Sequence, residues 1–200
     1  MEESTVMPER SDNELIRRTL EGDDESFSQL VERHKDFVYT MTVRILKNEQ
    51  LAEEVAQDSF LRAYKSLKTF KHESKFSTWL YRICYNLSLN ALAKENRDRT
   101  LFSDRDIEET QSVQNISKET ESPLRYAENC DLSNIVNGCI DELPTKYGSI
   151  LSMYHLSQLK YEEISIVTGL PIGTVKSHLY RAWNLLKKLI NDRYDQSELI

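Results

Sequence analysis

Glycine and proline are scarce, five and four in 200 residues. So few turn formers leave little room for a protein of many short strands, and the long amphipathic stretches point to an all-α fold. No run approaches the roughly 20 apolar residues that a membrane span needs. The N-terminus, MEESTVMPERSDNE, lacks the basic start and apolar run of a signal peptide. The expected compartment is the cytoplasm, without membrane insertion. Cysteine is limited to Cys84, Cys130 and Cys139, an odd, widely spaced set with no CxxC and no histidine at ligand spacing. Free thiols are expected, and neither a metal nor a cofactor. The four histidines, His34, His72, His155 and His178, are scattered, and no nucleophile stands with a base. No catalytic residue is assigned.

What is present is charge, unevenly placed. The chain carries a net −7 with 30% charged and 39% hydrophobic residues, enough apolar content for a modest core. Residues 75–100 hold five Lys/Arg against two acids, and residues 160–193 hold six against three, each a net +3. Residues 101–142 hold three against ten, a net −7. Two basic segments therefore flank an acidic connector. Local patches bind phosphate, so the global sum does not exclude DNA, although it predicts weak affinity for the chain alone.

The organisation follows from periodicity. A tail over 1–11 precedes consecutive helices over 12–99. Asp23 or Asp24 can cap a helix bearing Phe27, Leu30, Val31, Val38, Met41 and Ile45 on one side, and Asn48 interrupts it. A second helix is expected over about 51–67, then a polar break at 70–74, then a third from a cap at Ser77 or Thr78 to Lys94. Residues 100–131, rich in Ser, Thr, Glu and Asp, read as a flexible linker. A second domain is expected over 132–193, with a tail over 194–200.

The stretch YEEISIVTGLPIGTVKSHLYRAWNLL is the most informative. Ile164 and Val167 form the inner side of a short helix, and Thr168 to Pro171 break it. Thr174 offers an N-cap to the next. There Val175, Leu179, Ala182 and Leu186 share one face, and Lys176, Ser177, Tyr180, Arg181 and Asn184 the other. This is a helix-turn-helix with a cationic, hydrogen-bonding outer side suited to the major groove. A helical hairpin with a solvated basic face is the plainer alternative. The segment resembles the promoter-binding C-terminal domain of bacterial sigma factors of the extracytoplasmic-function (ECF) group. That resemblance implies contact with the −35 element by Lys176, Ser177, His178, Tyr180 and Arg181. His178 stands where an arginine is common. Response-regulator-like transcription factors carry a similar helix-turn-helix.

The earlier stretch LAEEVAQDSFLRAYKSLKTFKHESKFSTWLYRICYNLSLNALAKENR resembles the second conserved region of the same group. Aromatic rings set among cations and amides, as in KHESKFSTWLYRICYN, suit a surface that stacks bases and holds phosphates. The resemblance implies that the loop bearing Phe70, Lys71, His72, Lys75 and Phe76 receives a flipped base of the −10 element. His72 replaces a frequent small residue there. It further implies that Trp79, Arg82 and Asn86 on the following helix read the same strand, although a helix-anchoring core role is the commoner one for a tryptophan. Glu53, Glu54, Gln57, Asp58, Phe60 and Arg62 resemble the surface that docks on the clamp helices of RNA polymerase. Glu53 and Glu54 are adjacent and project apart on a helix, so they are no catalytic pair.

With both motifs in order, the chain is identified as a member of the ECF sigma group. The expected function is to bind core RNA polymerase through the clamp helices and flap of its large subunits and direct it to promoters. It would read duplex −35 DNA and trap the melted −10 strand. Family analogy sends the linker along the polymerase channel, and an anti-sigma factor is an expected partner. The rivals are a dimeric helix-turn-helix regulator, a nuclease and a structural adaptor.

Overall fold

The computed structural model describes residues 10–102 and 128–193, with side chains over 10–97 and 135–193. All regular elements among the described residues are helical. They are α1 (Asp12–Leu20), α2 (Asp24–Leu46), α3 (Glu49–Ser66), α4 (Phe76–Phe102), α5 (Glu128–Asp141), α6 (Thr145–His155), α7 (Tyr161–Thr168) and α8 (Ile172–Arg193).

The helix starts follow local chemistry. Asp23 caps α2 by accepting the Ser26 N–H, and Asn48 caps α3 by accepting the Leu51 N–H at 3.2 Å. Two expected caps are not used. The third helix of the N-terminal half begins at Phe76, not after Ser77 or Thr78, and the Lys75 carbonyl takes the Trp79 N–H at 3.2 Å. Starting there lets Phe76 enter the core, where it is almost wholly buried. Thr174 likewise lies inside α8, whose first turn is closed by the Pro171 carbonyl accepting from Thr174 and Val175. The expected linker falls largely at 103–127, outside the described residues. Its edges, 100–102 and 128–131, are helical.

Helices α1 to α4 pack around Leu15, Leu30, Val38, Met41, Ile45, Ala52, Ala63 and Leu80. Burying a side chain such as Leu30 contributes roughly 1.5–3 kcal/mol. Helices α5 to α8 enclose Ile140, Ile150, Leu151, Ile164, Val167, Val175, Leu179 and Leu186. The two halves also touch, through α2 on α6 and α4 on α7, and their buried apolar residues form one cluster. Cys84 and Cys139 are free and buried, and burial pushes the Cys84 thiol up to about 12.

Candidate nucleic-acid interface

The break before α4 is held in shape by its aromatics. Phe70, Phe76 and Trp79 pack against one another edge-on or tilted, at 5.2–6.0 Å between ring centres. Phe70 and Phe76 are buried, so these two expected base-stacking residues are the floor of the loop. Their burial withdraws them from direct contact with a strand. Trp79 is half-buried. His72 takes a left-handed φ of 57°, which few non-glycine residues adopt. It is secured by its ring on Phe70 at 4.5 Å and by Nδ1 3.2 Å from Asn13 Oδ1. Lys71 and Lys75 are exposed, the latter in an ion pair with Glu163 at 3.0 Å.

Next to the loop, α3 and α4 form a cleft of about 300 Å³. Trp79, Ile83 and Leu87 make its apolar part, with Arg62, Arg82, Asn86 and Asn90 around them. Arg82 and Asn86 are one turn apart on α4 and exposed. Arg62, expected to face polymerase, lines this cleft together with Arg82. Nothing in its sequence position signals this, because the cleft needs the α3–α4 packing. Two guanidiniums, two amides and an apolar floor can hold a phosphate and an unstacked base together.

On the outward side of α3, Glu53, Glu54, Gln57 and Asp58 are exposed, as expected. Phe60 is not, because it packs into the core at 8% exposure. The exposed apolar residue is its neighbour Leu61, at 49%. Leu61 stands four residues after Gln57 and seven after Glu54, so the 3.6-residue repeat could have found it.

In the C-terminal half, Gly169 closes α7 with a φ of 73°, and its N–H reaches the Ser165 carbonyl. Ser165 donates to the Leu170 carbonyl at 2.6 Å and stiffens the turn. Helix α8 then buries Val175, Leu179, Ala182 and Leu186 and exposes Lys176, Ser177, Tyr180 and Arg181, with Tyr180 at 70%. Lys176 Nζ sits 5.6 Å above the Tyr161 ring, and Ser177 donates to the Gly173 carbonyl. The Arg181 guanidinium beside Tyr147 holds that phenol below its usual range.

His178 departs from expectation. Its ring meets Tyr147 edge-on at 5.4 Å, and its Nδ1 is buried without a hydrogen-bond partner. Three residues after Val175 and four before Ala182, it belongs to the inner flank of α8, off the reading face. Desolvation lowers its pKa, and the charges of Lys146 and Arg181 push the same way. Glu163, in α7, is held below the usual carboxylate range. Burial opposes its charge, but the Lys160 N–H and the Lys75 ammonium outweigh that.

Among the described residues no group of three or more His, Cys, Asp or Glu could hold a metal ion. Among them, too, no helix is long and apolar enough to cross a membrane.

Sigma-70 region 2 matches residues 30–98 and Sigma-70 region 4 matches residues 133–186. The chain is 32% identical over 180 residues to the ECF RNA polymerase sigma factor SigW of Bacillus subtilis, covering 88% of this chain and 95% of that one. It is 32% identical over 187 residues to the RNA polymerase sigma-H factor of Pseudomonas aeruginosa, covering 92% and 96%. Among solved structures it resembles CnrH in complex with the cytosolic domain of CnrY, with a TM-score of 0.62 at 21% identity over 92% of this chain and 99% of that one. It also resembles the sigma factor RpoE of Bartonella quintana in complex with the anti-sigma factor NepR, with a TM-score of 0.65 at 22% identity over 85% and 99%. Both solved likenesses bear on the fold alone. The two region matches and the relatives aligned along most of their length agree, and the chain belongs to the ECF group of RNA polymerase sigma factors.

Proposed function

We propose that this transcription initiation factor divides promoter reading between α8 and the α3–α4 cleft. Lys176, Ser177, Tyr180 and Arg181 enter the major groove of the −35 element. Arg62 and Arg82 hold the backbone of the melted −10 strand while Trp79 and Asn86 take an unstacked base. The 70–76 loop, shaped by Phe70 and Phe76, presents Lys71 and His72 to the same strand. Extracting a base costs a few kcal/mol, and stacking returns roughly 1–3 kcal/mol per base. The observation that carries this reading is the cleft itself, which sets two cations and two amides around an apolar floor.

Core polymerase docks on the outer side of α3, where Glu53, Glu54, Gln57, Asp58 and Leu61 offer acids around an apolar centre. The clamp helices and flap of the large subunits are the intended contacts, and they contribute most of the affinity. An anti-sigma factor is a second partner, in keeping with the complexes of CnrH with CnrY and of RpoE with NepR.

The test is promoter selection. The chain is mixed with bacterial core RNA polymerase and fragmented genomic DNA, and the transcript starts are sequenced. Starts that share two spaced upstream elements are expected. Sharp duplex binding without polymerase, and no transcripts, would transfer the case to a dimeric regulator.

A further inference from the structure

The basic surface of the C-terminal half reaches beyond α8. Lys176 and Arg181 are five residues apart, so they point about 140° apart around the helix axis. Each stands against a tyrosine from the first turn of a neighbouring helix. On one flank Lys176 Nζ lies 5.6 Å from the centre of the Tyr161 ring, at the start of α7. On the other flank Arg181 stands beside Tyr147, in the first turn of α6. The sequence places a Lys-Tyr pair at both sites, Lys160-Tyr161 and Lys146-Tyr147.

The two flanks differ in charge. Beside Lys160, the first turn of α7 carries Glu162 and Glu163. The first turn of α6 carries no acid. There Lys146 is exposed, with its Nζ 4.9 Å from the centre of the Tyr147 ring. Arg181 foremost, and Lys146 with it, hold the Tyr147 phenol low. Both cations also add to the desolvation that favours a neutral His178, so both lie close to one spot. Among the described residues neither is in an ion pair, whereas Arg33, Arg44, Lys75 and Arg193 each hold a carboxylate. An anion between Lys146 and Arg181 would turn one repulsion into two attractions.

The major groove supplies such an anion on each side. A helix with its side chains is about 10–12 Å across and fills a groove about 12 Å wide, so its two flanks meet the phosphates of different strands. Contacts of that kind fix the register of a reading helix without reading bases.

We propose that Lys146, outside the helix-turn-helix, is a phosphate-positioning residue of the −35 reader, gripping with Arg181 the DNA strand opposite the one that Lys176 holds. This rests on the reading of α8 given above. Tyr147, 9% exposed and backed edge-on by His178 at 5.4 Å, is the fixed post between the two cations.

The probe is a fluorescein-labelled duplex bearing the upstream element shared by the mapped promoters, titrated with the full chain at several salt concentrations. Lys146→Ala is expected to flatten the slope of log K against log salt by about 0.9 and to weaken binding about eightfold at about 0.1 M salt. Lys146→Arg is expected to keep both. Phosphate ethylation interference then assigns the strand. Lys146→Ala and Arg181→Ala should become indifferent to ethylation on one strand, and Lys176→Ala on the other. An unchanged slope in Lys146→Ala, with slopes lowered in Lys176→Ala and Arg181→Ala, overturns the inference and leaves the promoter reading standing. A loss that Lys146→Arg does not restore, or one on the strand that Lys176 holds, also overturns it. Slopes unchanged in all three alanine variants overturn the −35 reading, and the role of Lys146 with it.

Discussion

Neighbouring residues on α8 have opposite tasks. Arg181 and Lys176 face outward, and His178 turns in against Tyr147. Replacing Lys176 or Arg181 by Ala is expected to weaken binding to a −35 duplex by about 1–3 kcal/mol and to flatten the dependence of log K on log salt by about one for each phosphate left without its cation. His178→Ala is expected to leave that salt slope unchanged, as fluorescence anisotropy on a labelled duplex can check. A lowered slope in the His178 variant would return it to the reading face. The buried Nδ1 has a separate consequence for stability. His178 has a folded pKa below its unfolded value, so the fold favours its neutral form. Its contribution is fully present above the unfolded value near 6.5 and is lost as pH falls from there through the depressed folded pKa. His178→Phe fills the same site without a proton to bind. Its melting temperature is therefore expected to fall less than that of the natural chain between pH 7 and pH 5.5. Parallel pH profiles from thermal unfolding would refute this.

At the scale of the element, α3 separates into an inner and an outer side at adjacent positions. Phe60→Ala is expected to cost about 3–5 kcal/mol of stability, because it empties a core site between α3 and its neighbours. Leu61→Ala should leave the melting temperature nearly unchanged and reduce capture by core polymerase. The reverse pattern, a stable Phe60 variant that fails to bind core, would restore Phe60 to the docking surface. The helices themselves are legible in the sequence, because apolar residues recur at 3.6-residue spacing and Asp23 and Asn48 cap as their types suggest. Finer assignments need tertiary facts. Ser77, Thr78 and Thr174 have capping side chains, but the backbone starts each helix earlier so that Phe76 can reach the core and Pro171 can open α8. Resemblance alone assigns His178 and Phe60 outward, and packing against Tyr147 and the α1–α4 core turns them in. The α3–α4 cleft joins Arg62 to Arg82 across 20 positions, a pairing no local pattern announces.

The whole molecule carries a net −7, yet residues 75–100 and 160–193 each carry a net +3. Repulsion from the acidic remainder is expected to keep the isolated chain's affinity for DNA weak. Each phosphate neutralised contributes about −0.9 to the slope of log K against log salt on duplex DNA. With Lys176 and Arg181 as the cations of α8 and Lys146 beside them, the isolated chain should show a slope of about −3. That slope should be the same on a −35 duplex and on a full-length duplex promoter, because Arg62, Arg82 and Lys71 are proposed to hold a melted strand, which a duplex does not offer. With core polymerase bound, the full promoter should give a distinctly steeper slope, and the −35 duplex should not gain it. Salt titrations of the four combinations separate the contributions. If the isolated chain were already steeper on the full promoter, both basic surfaces would be engaging duplex DNA without polymerase, and the assignment of the α3–α4 cleft to a melted strand would fall.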